Sequence, residues 1–304
     1  MGISRRQFAS TVAAALPLRA AFPAAPLWRH LAADGPAPLP PRIVVSCNMY
    51  SFNRALTAGA LTLDQAIEYC AEIGFEAVDP TGYYFTGYPA PPPDEEIYGV
   101  KHRAFRLGLA ISGTGIRTDF AVPREEDRAA DVALTERWVE VAAKLGAPML
   151  RVFAGHGTPR GQLRWSDARE RVIAALDACV AAGARRGVAI VLQNHEDVLR
   201  TADEVLEVRR RIPSAWFGLN VDIGSLRTGD PYEEIARLAP FAYTWQIKES
   251  VYRRGREEKT DARAIVRILR ESGYRGYVPL ETLGEGDPRL KIRHLLNEFR
   301  ETLA

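Results

Sequence analysis

Arg186-Gly187-Val188-Ala-Ile-Val-Leu-Gln193 holds a helix end, a turn and a complete strand in eight residues, and it closes on a polar side chain. A glycine directly after a helix-period segment suits a chain that must enter the left-handed backbone region there. An apolar run of strand length follows at once. The same junction recurs at Ile73-Gly74-Phe75, Leu107-Gly108-Leu109, Leu145-Gly146-Ala147 and Ser272-Gly273-Tyr274. The first four glycines are 34, 38 and 41 residues apart, the length of one βα unit.

The segments before these glycines have helical periodicity. Leu134, Trp138, Val141, Ala142 and Leu145 fall at i, i+4, i+7, i+8 and i+11, one apolar stripe. Two helix starts carry capping boxes, Thr62 with Gln65 and Thr201 with Glu204. Arg209-Arg210-Arg211 reads as solvated helix surface. Eight strands are predicted, over roughly 43–47, 75–79, 109–113, 148–153, 188–193, 215–222, 241–247 and 276–281. Strands that alternate with helices make a parallel sheet. Eight such units in about 260 residues make an α/β fold of the closed (β/α)8 kind, a TIM barrel, as a single domain over residues 42–304. A doubly wound sheet would want a glycine-rich phosphate turn after the first strand, and Cys47-Asn48-Met49-Tyr50 has no glycine.

Composition narrows the function. Of 304 residues, 47% are hydrophobic, enough for one large core. With 40 basic against 38 acidic residues the net charge is +2, which leaves no footprint for nucleic acid. No apolar run reaches the roughly 20 residues of a membrane span. Cys47, Cys70 and Cys179 are too sparse for a disulfide framework and read as small core residues. The N-terminus stands apart. Ser4-Arg5-Arg6-Gln7-Phe8 precedes a modest alanine-rich stretch, Ala9 to Leu18, and a proline- and alanine-rich segment leads on to Pro41. That anatomy resembles a twin-arginine export signal with its linker over residues 1–41, and predicts a periplasmic mature protein.

The last four predicted strands end in polar residues: Gln193, Asp222, Gln246 and Glu281. In a parallel barrel that rim carries the chemistry. Side chains alternate along a strand, so an inward Gln193 takes Val191 inward and leaves Leu192 outside. An inward Gln246 takes Lys248 with it, while Trp245 and Ile247 pack on helices. A carboxylate at the end of an apolar strand is costly to desolvate and needs a cation or donors. Two arrangements satisfy Asp222 and Glu281. Either they share one divalent ion, with the carbonyls of Gln193 and Gln246 completing an oxygen shell that favours Mn, Mg or Ca over Zn, or they pair with Arg151 and Lys248 and hold no metal.

From about residue 42 onward the chain resembles the xylose-isomerase-like TIM-barrel superfamily, the sugar phosphate isomerase/epimerase-like proteins. The resemblance is carried by Ala71-Glu-Ile-Gly-Phe-Glu-Ala-Val-Asp79, Lys144-Leu-Gly-Ala-Pro-Met-Leu-Arg151, Leu192-Gln-Asn-His195, Asn220-Val-Asp-Ile-Gly224, Trp245-Gln-Ile-Lys248 and Gly276-Tyr-Val-Pro-Leu-Glu281. It implies a divalent metal held by Glu, Asp, His and Glu on strands five to eight, positions that fall here on Gln193, Asp222, Gln246 and Glu281. The chain departs from that pattern with Gln193 for Glu, with Gln246 for His, and with Ser225 where a later His often stands. Apurinic-site endonucleases of the same superfamily need many histidine ligands. Of the five here, His30 lies in the export segment and His102 and His294 on predicted helix surfaces.

The expected function is a sugar isomerase- or epimerase-like enzyme. It acts on a non-phosphorylated sugar or keto-sugar by metal-assisted proton transfer alpha to a carbonyl. Glu281 and Lys248 are its expected catalytic residues. His156 and His195 on adjacent rim loops, Arg151 inside strand four, and Tyr83 and Tyr84 after strand two are its expected substrate contacts. A glutamine cannot exchange protons at neutral pH, so Gln193 disfavours a two-base epimerisation. One-sided reactions fit better: keto–enol isomerisation, or lyase or hydratase chemistry on a 3-keto-sugar. The rival is a non-catalytic sugar-binding barrel that has lost its metal. The expected partner is a small-molecule sugar, with self-association left open.

Overall fold

Helix and strand periods alternate along the chain, and the structure follows them. The computed structural model describes residues 40–157, 161, 164–195 and 198–304. The expected export segment therefore lies, but for its last two residues, outside the described residues. Residues 37–304 cluster as one compact unit. The elements are β1 (Arg42–Asn48), α1 (Asn53–Thr57), α2 (Leu63–Glu72), β2 (Ala77–Asp79), α3 (Asp94–Arg106), β3 (Ala110–Ile111), β4 (Thr114–Gly115), α4 (Glu125–Leu145) and β5 (Met149–Phe153). They continue with α5 (Trp165–Arg186), β6 (Ala189–Gln193), α6 (Ala202–Arg211), β7 (Phe217–Asp222), α7 (Pro231–Leu238) and β8 (Ala242–Lys248). A hairpin of β9 (Ser250–Arg253) and β10 (Arg256–Lys259) precedes α8 (Ala262–Glu271), β11 (Arg275–Glu281) and α9 (Pro288–Leu303).

The barrel strands run parallel in the order β3-β2-β1-β11-β8-β7-β6-β5-β4. The two ends of that series are pieces of one strand position. β3 pairs with β2, β4 pairs with β5, and Ser112–Gly113 joins them, so the ring closes through the chain itself. Counted as one, they make the eight expected strands. The predicted third strand, 109–113, is corrected to two short pieces, because one stretch cannot ladder on both neighbours at this seam without shifting between them. The β9–β10 hairpin was not expected. Arg254 and Gly255 both take positive φ, 49° and 79°, as a two-residue hairpin turn demands.

Local rules fix the helix ends. Gly146 and Gly187 close α4 and α5 at φ 80° and 69°. Both expected capping boxes form, at Thr62 with Gln65 and at Thr201 with Glu204. The α4 stripe of Leu134, Trp138, Val141, Ala142 and Leu145 is wholly buried, and so are the three free cysteines. Arg209 departs from the solvated reading: its guanidinium lies 5.7 Å from the Phe217 ring and 5.5 Å from the Phe241 ring. Its stem was long enough to turn back over an apolar surface.

The alternation inside the barrel sets up the site. Val191 joins Met149 and Ala189 in a small apolar cluster with Tyr243 packed on it, while Leu192, Trp245 and Ile247 belong to the large core between sheet and helices. β7 and β8 pair Leu219 with Ala242 but Asn220 with Thr244, which leaves Tyr243 as the extra residue of a bulge. The bulge re-phases β8. Without it Tyr243, Trp245 and Ile247 would share the inner face; with it Thr244, Gln246 and Lys248 do.

Trp138 links the core to the rim. Its Nε1 donates to Pro89 O at 2.8 Å, and its ring meets Phe85 and Tyr88 edge-on at 6.1 and 5.7 Å. It anchors the loop that carries Tyr83. We expect Trp138→Ala to lower the unfolding free energy by about 3–5 kcal/mol, measured by urea denaturation, with a loss of ligand affinity that follows from the loosened loop.

Candidate active site

The ends of β6, β7, β8 and β11 deliver polar side chains to the rim, and parallel register sets their heights. Gln193 is level with Asn220, Asp222 with Gln246, and Lys248 with Glu281. Asp222 lies at the centre and is fully buried. Its Oδ2 accepts from Gln193 Nε2 at 2.7 Å, Lys248 Nζ at 2.8 Å and Ser225 Oγ at 2.9 Å, and its Oδ1 accepts from the Gly224 amide at 3.0 Å. Lys248 Nζ also lies 3.4 Å from Glu281 Oε1, so one ammonium bridges both carboxylates. Gln246 Nε2 donates to Glu281 Oε2, and its Oε1 accepts from Asn220 at 3.0 Å.

Position 224 must be small. A Cβ there would stand 2.7 Å from Lys248 Cδ, so Gly224 leaves room for the lysine to cross to Asp222. A second buried pair lies alongside: Arg151 donates to Asp79 Oδ2 at 2.7 Å. Asp79 ends β2 as Asp222 ends β7.

Electrostatics separates the two central carboxyls. Burial works to raise the Asp222 pKa, but the charge and hydrogen bond of Lys248, with smaller help from His195 and Ser225, hold it below the ordinary aspartate value. For Glu281 burial prevails. Lys248 opposes it, the Asp222 charge adds to it, and the pKa stays above the ordinary glutamate value. Burial works to lower the Lys248 pKa, yet the two carboxylates raise it above the usual lysine value.

A cavity of about 200 Å³ opens over this cluster. Of the expected site residues it is lined by Glu281, Lys248, Gln193, Gln246, Arg151, His156, His195 and Tyr83. Asp222 lies beneath it. Tyr84 is not brought to the cavity: its hydroxyl donates to Asn53 Oδ1 at 3.0 Å, and it lines a separate surface hollow. Phe153 spaces the two histidines, with ring centroids 5.4 Å from His156 and 5.0 Å from His195. Gln193 Oε1 is buried and has no hydrogen-bond partner among the described residues.

Sequence reasoning missed Arg117, Asp79 and Asn220. Arg117 lines the cavity with its guanidinium 4.3 Å from the centre of the Tyr83 ring, and its amide donates to Tyr88 Oη at 2.9 Å. It follows β4, so a third strand placed at 114–115 would have exposed it as a rim residue. Asp79 and Asn220 carried the same signal as the other four, a polar residue in an apolar strand.

The donor set can be tested against the expected divalent ion. The oxygen shell expected for that ion is completed by the amide carbonyls of Gln193 and Gln246. A carboxylate only accepts hydrogen bonds, so both amides must instead turn Nε2 toward Asp222 and Glu281. Lys248 already bridges the two acids. Among the described residues no group of three or more His, Cys, Asp or Glu is placed to hold a metal. As they stand, these side chains do not fit a divalent ion.

The model of the family described as xylose isomerase-like TIM barrel matches residues 67–302. No curated protein matches the chain. Among solved structures, 3-keto-D-glucoside 4-epimerase from E. coli is 17% identical with a TM-score of 0.68, over 86% of this chain and 99% of that one. D-psicose 3-epimerase from Clostridium cellulolyticum H10 is 14% identical with a TM-score of 0.72, over 86% and 99%. The probable 3-DHS dehydratase from Bacillus anthracis is 14% identical with a TM-score of 0.65, over 86% and 98%. At such identities the likeness is one of fold.

The buried triad makes a direct stability prediction. Lys248→Met should cost about 3–5 kcal/mol at neutral pH, because it strands two buried carboxyls, and adding Asp222→Asn should restore part of the loss. The stability that Asp222 gains from Lys248 is present above its unfolded value of 3.8 and is lost as pH falls through its lower folded value. The lysine's share is present below 10.5 and is lost as pH rises through its higher folded value. The gap between wild type and Lys248→Met, read from urea unfolding, should therefore be broad between those limits and close at both ends.

Proposed function

The chain belongs to the xylose isomerase-like TIM barrel family, and on that premise we propose that the rim site is the active site of a sugar isomerase- or epimerase-like enzyme. The observation that carries the reading is Glu281, the one carboxyl residue among the described residues that line the cavity. It is held by Lys248 and Gln246, and burial raises its pKa above the ordinary glutamate value.

The proposed substrate is a non-phosphorylated sugar or keto-sugar, and the proposed setting is the periplasm, reached by the twin-arginine route. Glu281 moves the proton alpha to a carbonyl. Lys248 gives a fixed positive charge for the oxygen that becomes negative as that proton leaves. Gln193 Oε1, which lacks a partner, accepts from a substrate hydroxyl, and His156, His195 and Tyr83 complete the wall. With a single carboxyl the reaction is one-sided. Keto–enol isomerisation is the first reading and elimination from a 3-keto-sugar the second. The single carboxyl favours both over a two-base epimerisation, and a dehydratase shares the fold.

Incubation with keto-sugars in D2O, followed by NMR, should show deuterium entering alpha to the carbonyl. Glu281→Gln should slow that exchange on the order of 10²–10⁴-fold while sugar binding, measured by calorimetry, persists. Saturable binding with no exchange or product in the wild type would replace this reading with the non-catalytic barrel.

A further inference from the structure

We propose that Lys248 is the resident cation of this site, and that the protein binds and transforms its sugar without a divalent metal ion. The functional half of the statement rests on the proposed sugar chemistry; the metal half stands on geometry alone.

Two buried carboxylates need a positive charge beside them. Asp222 and Glu281 are 0% and 2% exposed, so neither is neutralised by solvent. A divalent ion or a buried ammonium meets the need, and both would occupy the space between the two carboxyls. Lys248 Nζ holds that space, 2.8 Å from Asp222 and 3.4 Å from Glu281. The surroundings are built for the ammonium. Asp222 receives four donors, from Gln193, Ser225, Lys248 and the Gly224 amide. Glu281 receives the Gln246 amide, whose own oxygen is taken by Asn220. A metal would have to displace the lysine and turn two glutamines. Gly224 has the shape the lysine needs, since any Cβ there would meet the Lys248 stem.

The test removes the lysine's claim on the site. Wild-type protein, residues 40–304 with the native sequence retained or the full chain, is purified without chelator. Its metal content is measured by atomic emission, its Mn2+ binding by the paramagnetic resonance of free ion, and its melting temperature with Mn2+ and with EDTA. We expect substoichiometric metal and a melting temperature that neither addition moves. Lys248→Ala should then bind one Mn2+ per chain and gain melting temperature on its addition, because two carboxylates and water suffice for a hard cation once the ammonium is gone. Gly224→Ala keeps every charge and only crowds the lysine stem; it should gain Mn2+ binding more weakly, and serves where Lys248→Ala does not fold. One ion per wild-type chain whose removal lowers the melting temperature overturns the inference. So does the absence of any gain in Mn2+ binding in both variants. Sugar binding by the wild type in EDTA is measured in parallel: its absence in metal-free, folded protein sinks the sugar reading and leaves the resident cation in place.

Discussion

Two carboxylates buried in a barrel mouth repel each other and are poorly solvated, so a positive charge between them is the condition on which the site depends. Lys248 meets that condition, and several features of the fold can be traced to it. It must arrive on the inner face of β8, and the bulge at Tyr243 puts it there. It must reach Asp222 across the next strand, and Gly224 clears the path. It must sit level with Glu281, and the register of β8 with β11 makes it so. None of these features is an ornament of the barrel. Each is a backbone adjustment whose effect is felt at one ammonium group.

Hydrogen-bond donors stand where the resemblance implies metal ligands. The three positions at which the chain departs from the pattern it resembles, Gln193, Gln246 and Ser225, all donate hydrogen bonds to Asp222 or Glu281. A metal ligand gives a lone pair; these groups give protons. The substitutions act in one sense, and they act on the same two carboxylates. Three carboxyls, at Asp79, Asp222 and Glu281, then face two fixed cations, Arg151 and Lys248. Burial works to raise the pKa of both central carboxyls; at Asp222 the charge of Lys248 outweighs it, and at Glu281 burial prevails.

Much of this was legible in the sequence because it obeys short-range rules. A glycine after a helix, Thr62 with Gln65 at a helix start, and the stripe through Trp138 are local signals, and the structure keeps all of them. Alternation tied Gln193 to Val191 and Gln246 to Lys248 on one face, while the bulge at Tyr243 sets which face of β8 is the inner one. What escaped was non-local. The break in the third strand depends on which neighbour each half must pair with, and nothing near Ser112 announces that. Arg117 was hidden by the same error. Tyr84 and Arg209 looked like a sugar platform and a solvated surface; Asn53 and Phe241, their partners, are distant in the chain, and Phe217 comes from the strand that follows the helix of Arg209. The export signal and the metal rest on sequence reading, and the described residues speak to the second only through the donors that surround Lys248.

The seam at Ser112–Gly113 has a mechanical side. β2 and β5 are not laddered to each other; two short pieces of chain stand between them. The Arg151–Asp79 pair reaches directly from one to the other, from the end of β2 to the middle of β5. It works as a latch on a split ring. Arg151 also faces the cavity, so a ligand oxygen that draws on its guanidinium draws on the latch. Occupancy of the mouth and the bridging of the split ring therefore share one side chain.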